Sequence, residues 1–77
     1  MKYRVITFLP NQTNVAMSVN SFESAITKAR NQAREHSLSN FSAFSCVQTF
    51  IPCTRVWEEH TTVYAERGKI TQELNGF

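Results

Sequence analysis

NSFESAITKARNQAREH, residues 20–36, is the one segment of this chain with a sustained helical period. Phe22, Ala25, Ile26, Ala29 and Ala33 recur at helical spacing and form one apolar stripe. Asn20 with Glu23 three residues on has the form of a capping box, so the helix is expected to open at Asn20. It is expected to end near His36, because Ser37-Leu38-Ser39-Asn40 reads as a loop. Three of the five stripe residues are Ala, so the helix can lie close against a sheet.

Everything outward from that helix reads as strand and turn. Residues 2–9 are rich in β-branched and aromatic side chains, and Pro10-Asn11-Gln12 is a turn signal. Residues 13–19 alternate, with Val15, Met17 and Val19 on one face and Asn14, Ala16 and Ser18 on the other. The short gap between these strands makes a hairpin the economical connection. After the helix, residues 43–51 form a strand bounded by Pro52, and 54–57 form a short strand or an extension. Residues 61–66 (TTVYAE) and 69–74 are strands joined by a two-residue Arg67-Gly68 turn, with Gly68 supplying positive φ. Asn75-Gly76-Phe77 reads as a frayed tail. The expected fold is α+β, a single domain over residues 1–77 in the order β-β-α-β-β-β. One helix packs on one face of a four- to five-stranded antiparallel sheet, and the other face meets water or a partner.

Composition removes several functions. The 77 residues are 42% hydrophobic and 18% charged with six Phe, which is a folding composition rather than a disordered one. No apolar run approaches the roughly 18–20 residues of a membrane span, and the N-terminal stretch lacks the form of a signal peptide. A phosphate-cradling loop needs several glycines, and the chain has two. It has no Asp for a calcium loop or an Asp-centred magnesium site. Two cysteines, Cys46 and Cys53, fit a reducing cytosol better than a secreted disulfide scaffold. Their Cys-x6-Cys spacing, with His36 and His60 far apart, is unlike a zinc module, so no metal and no cofactor are expected.

For catalysis, Cys46 or Cys53 with His36 or His60 is the one plausible nucleophile–base set, and neither cysteine has a catalytic context. Glu58 and Glu59 are adjacent, and in a strand adjacent side chains point to opposite faces. No enzymatic function is expected. For nucleic acid, the helix carries Lys28 on one flank and Arg30 with Arg34 on the other, beside Asn31 and Gln32. The bland alternative is a solvated face linked to Glu23 and Glu35. Lys2 and Arg4 share a strand face with Ile6 and Phe8, which resembles small RNA-binding sheets in kind, without the RRM aromatic-glycine signature. A net charge of +2 is weak support for nucleic acid. For protein partners the surplus aromatics weigh more: Phe8, Phe41, Phe44, Phe50, Trp57, Tyr64 and Phe77 exceed what one small core needs. Arg55, Trp57, Tyr64 and Arg67 have the composition of interface anchors, unless Trp57 and Tyr64 merely cap the core edge.

KYRVITFL, a turn, NVAMSV, SFESAITKARNQA, a strand and the TTVYAERGKI hairpin together resemble small phage-encoded anti-CRISPR proteins of the type I-F inhibitor kind. The nearest local likenesses are the Ser21-led helix start with Ala25 and Ala29, and the aromatic strand leading to Gly68. The resemblance implies one helix on a five-stranded antiparallel sheet and a site of action in the host cytoplasm. It implies binding to the crRNA-guided surveillance complex and steric obstruction of target DNA, with no catalysis. Lys28, Arg30, Asn31 and Arg34 fall in that inhibitor's contact region. Similar small β-β-α-β proteins include a phage inhibitor of host RNA polymerase, and a nucleic-acid-binding accessory domain is the further alternative. Oligomeric state is left open.

Overall fold

A computed structural model describes residues 2–8 and 15–75. Its elements are β1 (Tyr3–Phe8), β2 (Val15–Val19), α1 (Phe22–Asn40), β3 (Ser42–Ile51), β4 (Val56–Glu66) and β5 (Lys69–Asn75). The five strands form one antiparallel sheet in the order β2-β1-β3-β4-β5, with the helix lying mainly over β3 and its neighbours β1 and β4. This is the α+β fold expected. The turn at 10–12, residues 76–77 and the side chains of Val15 and Met17 lie outside the described residues.

The helix differs from expectation at both ends. Its N-cap is Ser21 rather than Asn20: the Ser21 hydroxyl accepts from the Ser24 N–H at 3.2 Å, and the Ser21 carbonyl accepts from Ala25 N–H at 3.0 Å. Glu23 sits in the first turn, where a carboxylate is favoured by the exposed N–H groups. At the other end the helix runs four residues past His36, to Asn40. Ser37 explains this, because it continues the i+4 series Ala25, Ala29, Ala33 and is fully buried. Its hydroxyl donates to the Arg34 carbonyl at 2.8 Å and accepts from Gly68 N–H at 2.7 Å. A polar residue that reads as a loop former is therefore a core position whose hydrogen bonds clip the β4–β5 turn to the helix.

That clip is testable. Ser37→Ala leaves the Gly68 N–H without its partner and is expected to cost about 1–2 kcal/mol in urea denaturation. Exposed Ser39→Ala, two residues on, is expected to stay within about 0.5 kcal/mol of the parent.

Phe41 ends the helix with φ 68° and ψ −56°, a conformation that costs an aromatic residue energy. Arg67 holds it there: its N–H donates to the Phe41 carbonyl at 2.8 Å, and its guanidinium lies 4.7 Å over the Phe41 ring. Arg67 (φ 50°) and Gly68 (φ 83°) form the two-residue turn, both with the positive φ that such hairpins require.

The core is made of small side chains. Val5, Val19, Ala25, Ala29, Ala33, Val47, Val63 and Ala65 are buried together, with Tyr3, Phe22, Ile26 and Ile70 packed against them. Ile26, one of the five residues of the helix's apolar stripe, is half-buried at the margin of this cluster rather than inside it. The alanine series brings the helix so close that no aromatic fits fully between helix and sheet. Thr7 and Ser45, also in this layer, satisfy each other at 2.9 Å. The short strand expected near 54–57 and the strand from 61 are one element, β4, entered by a turn at 52–55.

Candidate functional site: the open face of the sheet

Strand register places Arg4, Ile6 and Phe8 beside Gln48, Cys46 and Phe44, on the face away from the helix. Phe44 and Cys46 are in turn beside Tyr64 and Thr62. A bulge then intervenes: Val47 pairs with Thr61 but Gln48 pairs with Glu59, so His60 is an extra residue in β4. Trp57 and Tyr64 are seven positions apart, and in an unbroken strand they would point to opposite faces. The bulge puts both on the open face. Its extra residue, His60, turns to the helix side, with its ring 4.4 Å from that of Phe22.

Two aromatic groups result. At one end Phe8 stacks on Phe44 with centroids 4.8 Å apart and planes 18° apart, and Phe44 stacks on Tyr64 at 5.4 Å and 30°. Rings this close and this nearly parallel are offset-stacked, each covering part of its neighbour's face. At the other end Phe50 meets Trp57 at 5.2 Å, and Arg4 lies 4.3 Å over the Trp57 ring while its Nε donates to Gln48 Oε1 at 2.6 Å. Trp57 and Tyr64 thus lie on the open face, whereas Tyr3 and Phe22 are the aromatics at the core margin.

Between the two groups lies Cys46, nearly fully buried, its thiol 3.7 Å from the Val47 carbonyl. Burial pushes its pKa up, opposed by a hydrogen bond with Thr62, reinforced by Glu59 and opposed again by Arg4. A thiol held protonated is a poor nucleophile. His60 is on the other side of the sheet, His36 bonds Gln32 at 2.9 Å on the helix, and Cys53 is exposed in the 52–55 turn. Among the described residues no three metal-ligating side chains come together. Glu58 faces Thr49 and Glu59 faces Gln48, on opposite sides as expected for neighbours in a strand.

The candidate residues divide between two sides of the molecule. Trp57 and Tyr64 are on the open face. Lys28, Asn31 and Arg34 are exposed on the outer side of the helix, where Lys28 and Asn31 share a shallow polar patch and Arg34 donates to Asn31 Oδ1 at 2.7 Å. Arg30 is not bonded to Glu23 or Glu35. It forks onto Glu73 of β5, with Nη2 donating to Oε2 at 3.0 Å and Nε donating to Oε1. That hydrogen bond holds the Glu73 carboxyl below the usual range, so its small stabilisation is present at neutral pH and lost as acid protonates it. Arg55 and Arg67 occupy turns at opposite ends of the 11-residue β4, about 36 Å apart at strand rise, so one compact contact cannot use both.

The sequence places Arg4 and Phe8 on one strand face and Phe8 and Phe44 among the surplus aromatics, but these three are not among the contact residues it names. The described residues thus define a one-sided α+β sheet with an aromatic open face. Comparison of the chain with known protein families, curated proteins and solved structures finds no match.

Proposed function

We propose that this chain is a non-catalytic inhibitor that seats the open face of its sheet on a protein assembly of the host. The layout resembles type I-F anti-CRISPR proteins, which makes the crRNA-guided surveillance complex the assembly to test. The observation that carries the binding reading is the aromatic ladder Phe8–Phe44–Tyr64, with Phe44 still 36% exposed. Rings that partly cover one another's faces and stay partly exposed suit packing against protein side chains. Stacking successive bases needs several free ring faces, and Phe44 at the centre of the ladder has a ring on each side. Such a complex holds DNA through basic residues along its path, and a folded wedge beside them excludes the duplex with no chemistry of its own.

The test is a gel-shift of target DNA by assembled type I surveillance complexes, titrated with the protein. The reading expects DNA binding to be lost while guide, DNA and protein stay intact. Lack of effect across several type I complexes overturns the target. Binding of the free protein to DNA or RNA with a steep salt dependence would favour a nucleic-acid accessory domain acting through Lys28 and Arg34.

A further inference from the structure

At the Phe44–Tyr64 end the open face is indented by a groove of about 350 Å³. Its walls combine three aromatic rings, Phe8, Phe44 and Tyr64, with Ser42, Thr71 and Glu66. We propose that this groove receives an arginine side chain of the protein partner, a site that rests on the open face being the docking surface.

Three observations point to a guanidinium. The first concerns the rings: Phe44 has a ring on each side, whereas among the described residues Tyr64 has a ring contact with Phe44 alone and lines the groove together with Thr71. A flat cation can lie there, and guanidinium over an aromatic ring is already the local habit of this fold, at Arg4 over Trp57 and Arg67 over Phe41. The second is charge. Among the described residues the one ion pair is Arg30–Glu73, so Glu66 carries an uncompensated carboxylate at the groove, and Lys69 opposite it across the hairpin does not close to pairing distance. The third is hydrogen-bonding capacity. The Thr71 hydroxyl spends its proton on the Tyr64 carbonyl at 3.3 Å, which leaves its oxygen as an acceptor. With Ser42 Oγ and the two Glu66 oxygens, the wall is rich in acceptors, matching the five N–H donors of a guanidinium better than a lysine ammonium. An arginine held in this way is withdrawn from any phosphate it would otherwise contact.

The experiment is a 15N–1H titration of the isolated protein with acetyl-Gly-Arg-Gly-amide, with its citrulline and lysine counterparts as comparisons. The arginine peptide is expected to move the amide signals of Phe44, Tyr64, Glu66 and Thr71, saturating on the order of millimolar. Citrulline, which keeps the shape and loses the charge, is expected to bind about tenfold more weakly. Glu66→Gln should erase that difference with the rest of the spectrum unchanged. If that variant misfolds, Thr71→Val provides the second perturbation: it removes one neutral acceptor and should weaken the arginine and citrulline peptides alike, leaving their ratio unchanged. Equal binding of arginine and citrulline peptides, or shifts located elsewhere, overturns the inference. Because this titration contains no surveillance complex, arginine selectivity without inhibition of DNA binding refutes the proposed target and keeps the groove. Inhibition without arginine selectivity does the reverse.

Discussion

Replacement of Val47 by Asp is expected to leave no folded protein at 25 °C. Val47 has no exposed surface, and its strand is the sheet's centre, paired to β1 on one side and β4 on the other. Its side chain packs in one cluster with Ala25, Ala29 and Ala33 of the helix, and the unpartnered hydroxyl of Thr49, two residues on along the same face, carries no charge to offset a carboxylate. Burying a carboxylate without a partner costs several kcal/mol, while a single core of this size supplies roughly 3–5 kcal/mol of net stability. The penalty therefore matches or exceeds everything that holds the domain together. Ile26→Asp, by contrast, places the charge at a half-buried margin where water still reaches it, so a weakened but folded protein is expected. Far-ultraviolet circular dichroism and urea titration separate the two: a cooperative transition for Val47→Asp would mean that the helix does not seal this face.

The same contrast shows which parts of the fold were legible in the residues. Strand existence, the Arg67-Gly68 turn and the alanine face of the helix follow from local patterns, and each agrees with the structure. The helix end did not, because Ser37 has a loop former's propensity and only its distant partner, Gly68 N–H, makes it a core residue. Trp57 and Tyr64 show the limit more sharply. Their odd spacing assigns them to opposite faces, and only the bulge at His60 unites them. A bulge is a property of pairing between strands, and no single-strand periodicity announces it. The basic helix residues were visible, but the tie from Arg30 to Glu73 spans 43 positions and lies beyond any local rule.

The second large effect concerns that united face. Under the docking proposed above, Phe44→Ala combined with Trp57→Ala is expected to weaken inhibition of DNA binding by about a hundredfold or more. Each residue anchors one of the two aromatic groups, and truncating a well-packed interface aromatic typically costs about 2 kcal/mol or more, with roughly 1.4 kcal/mol per factor of ten. Neither side chain enters the helix–sheet core, so the fold is expected to survive, with circular dichroism as the control. The matched comparison is Lys28→Glu with Arg34→Glu on the outer side of the helix. Arg30 is left out because its reversal would set two carboxylates against each other at Glu73. Exposed charges at an interface rim act chiefly on the rate of encounter, so the helix pair is expected to lose less than about tenfold, and that loss should shrink as salt is added. The aromatic loss should not depend on salt, since it reflects buried apolar contact. If a folded Phe44/Trp57 variant inhibits as well as the parent while the helix variant fails, the docking surface is the helix, and the aromatic ladder serves only to brace the sheet.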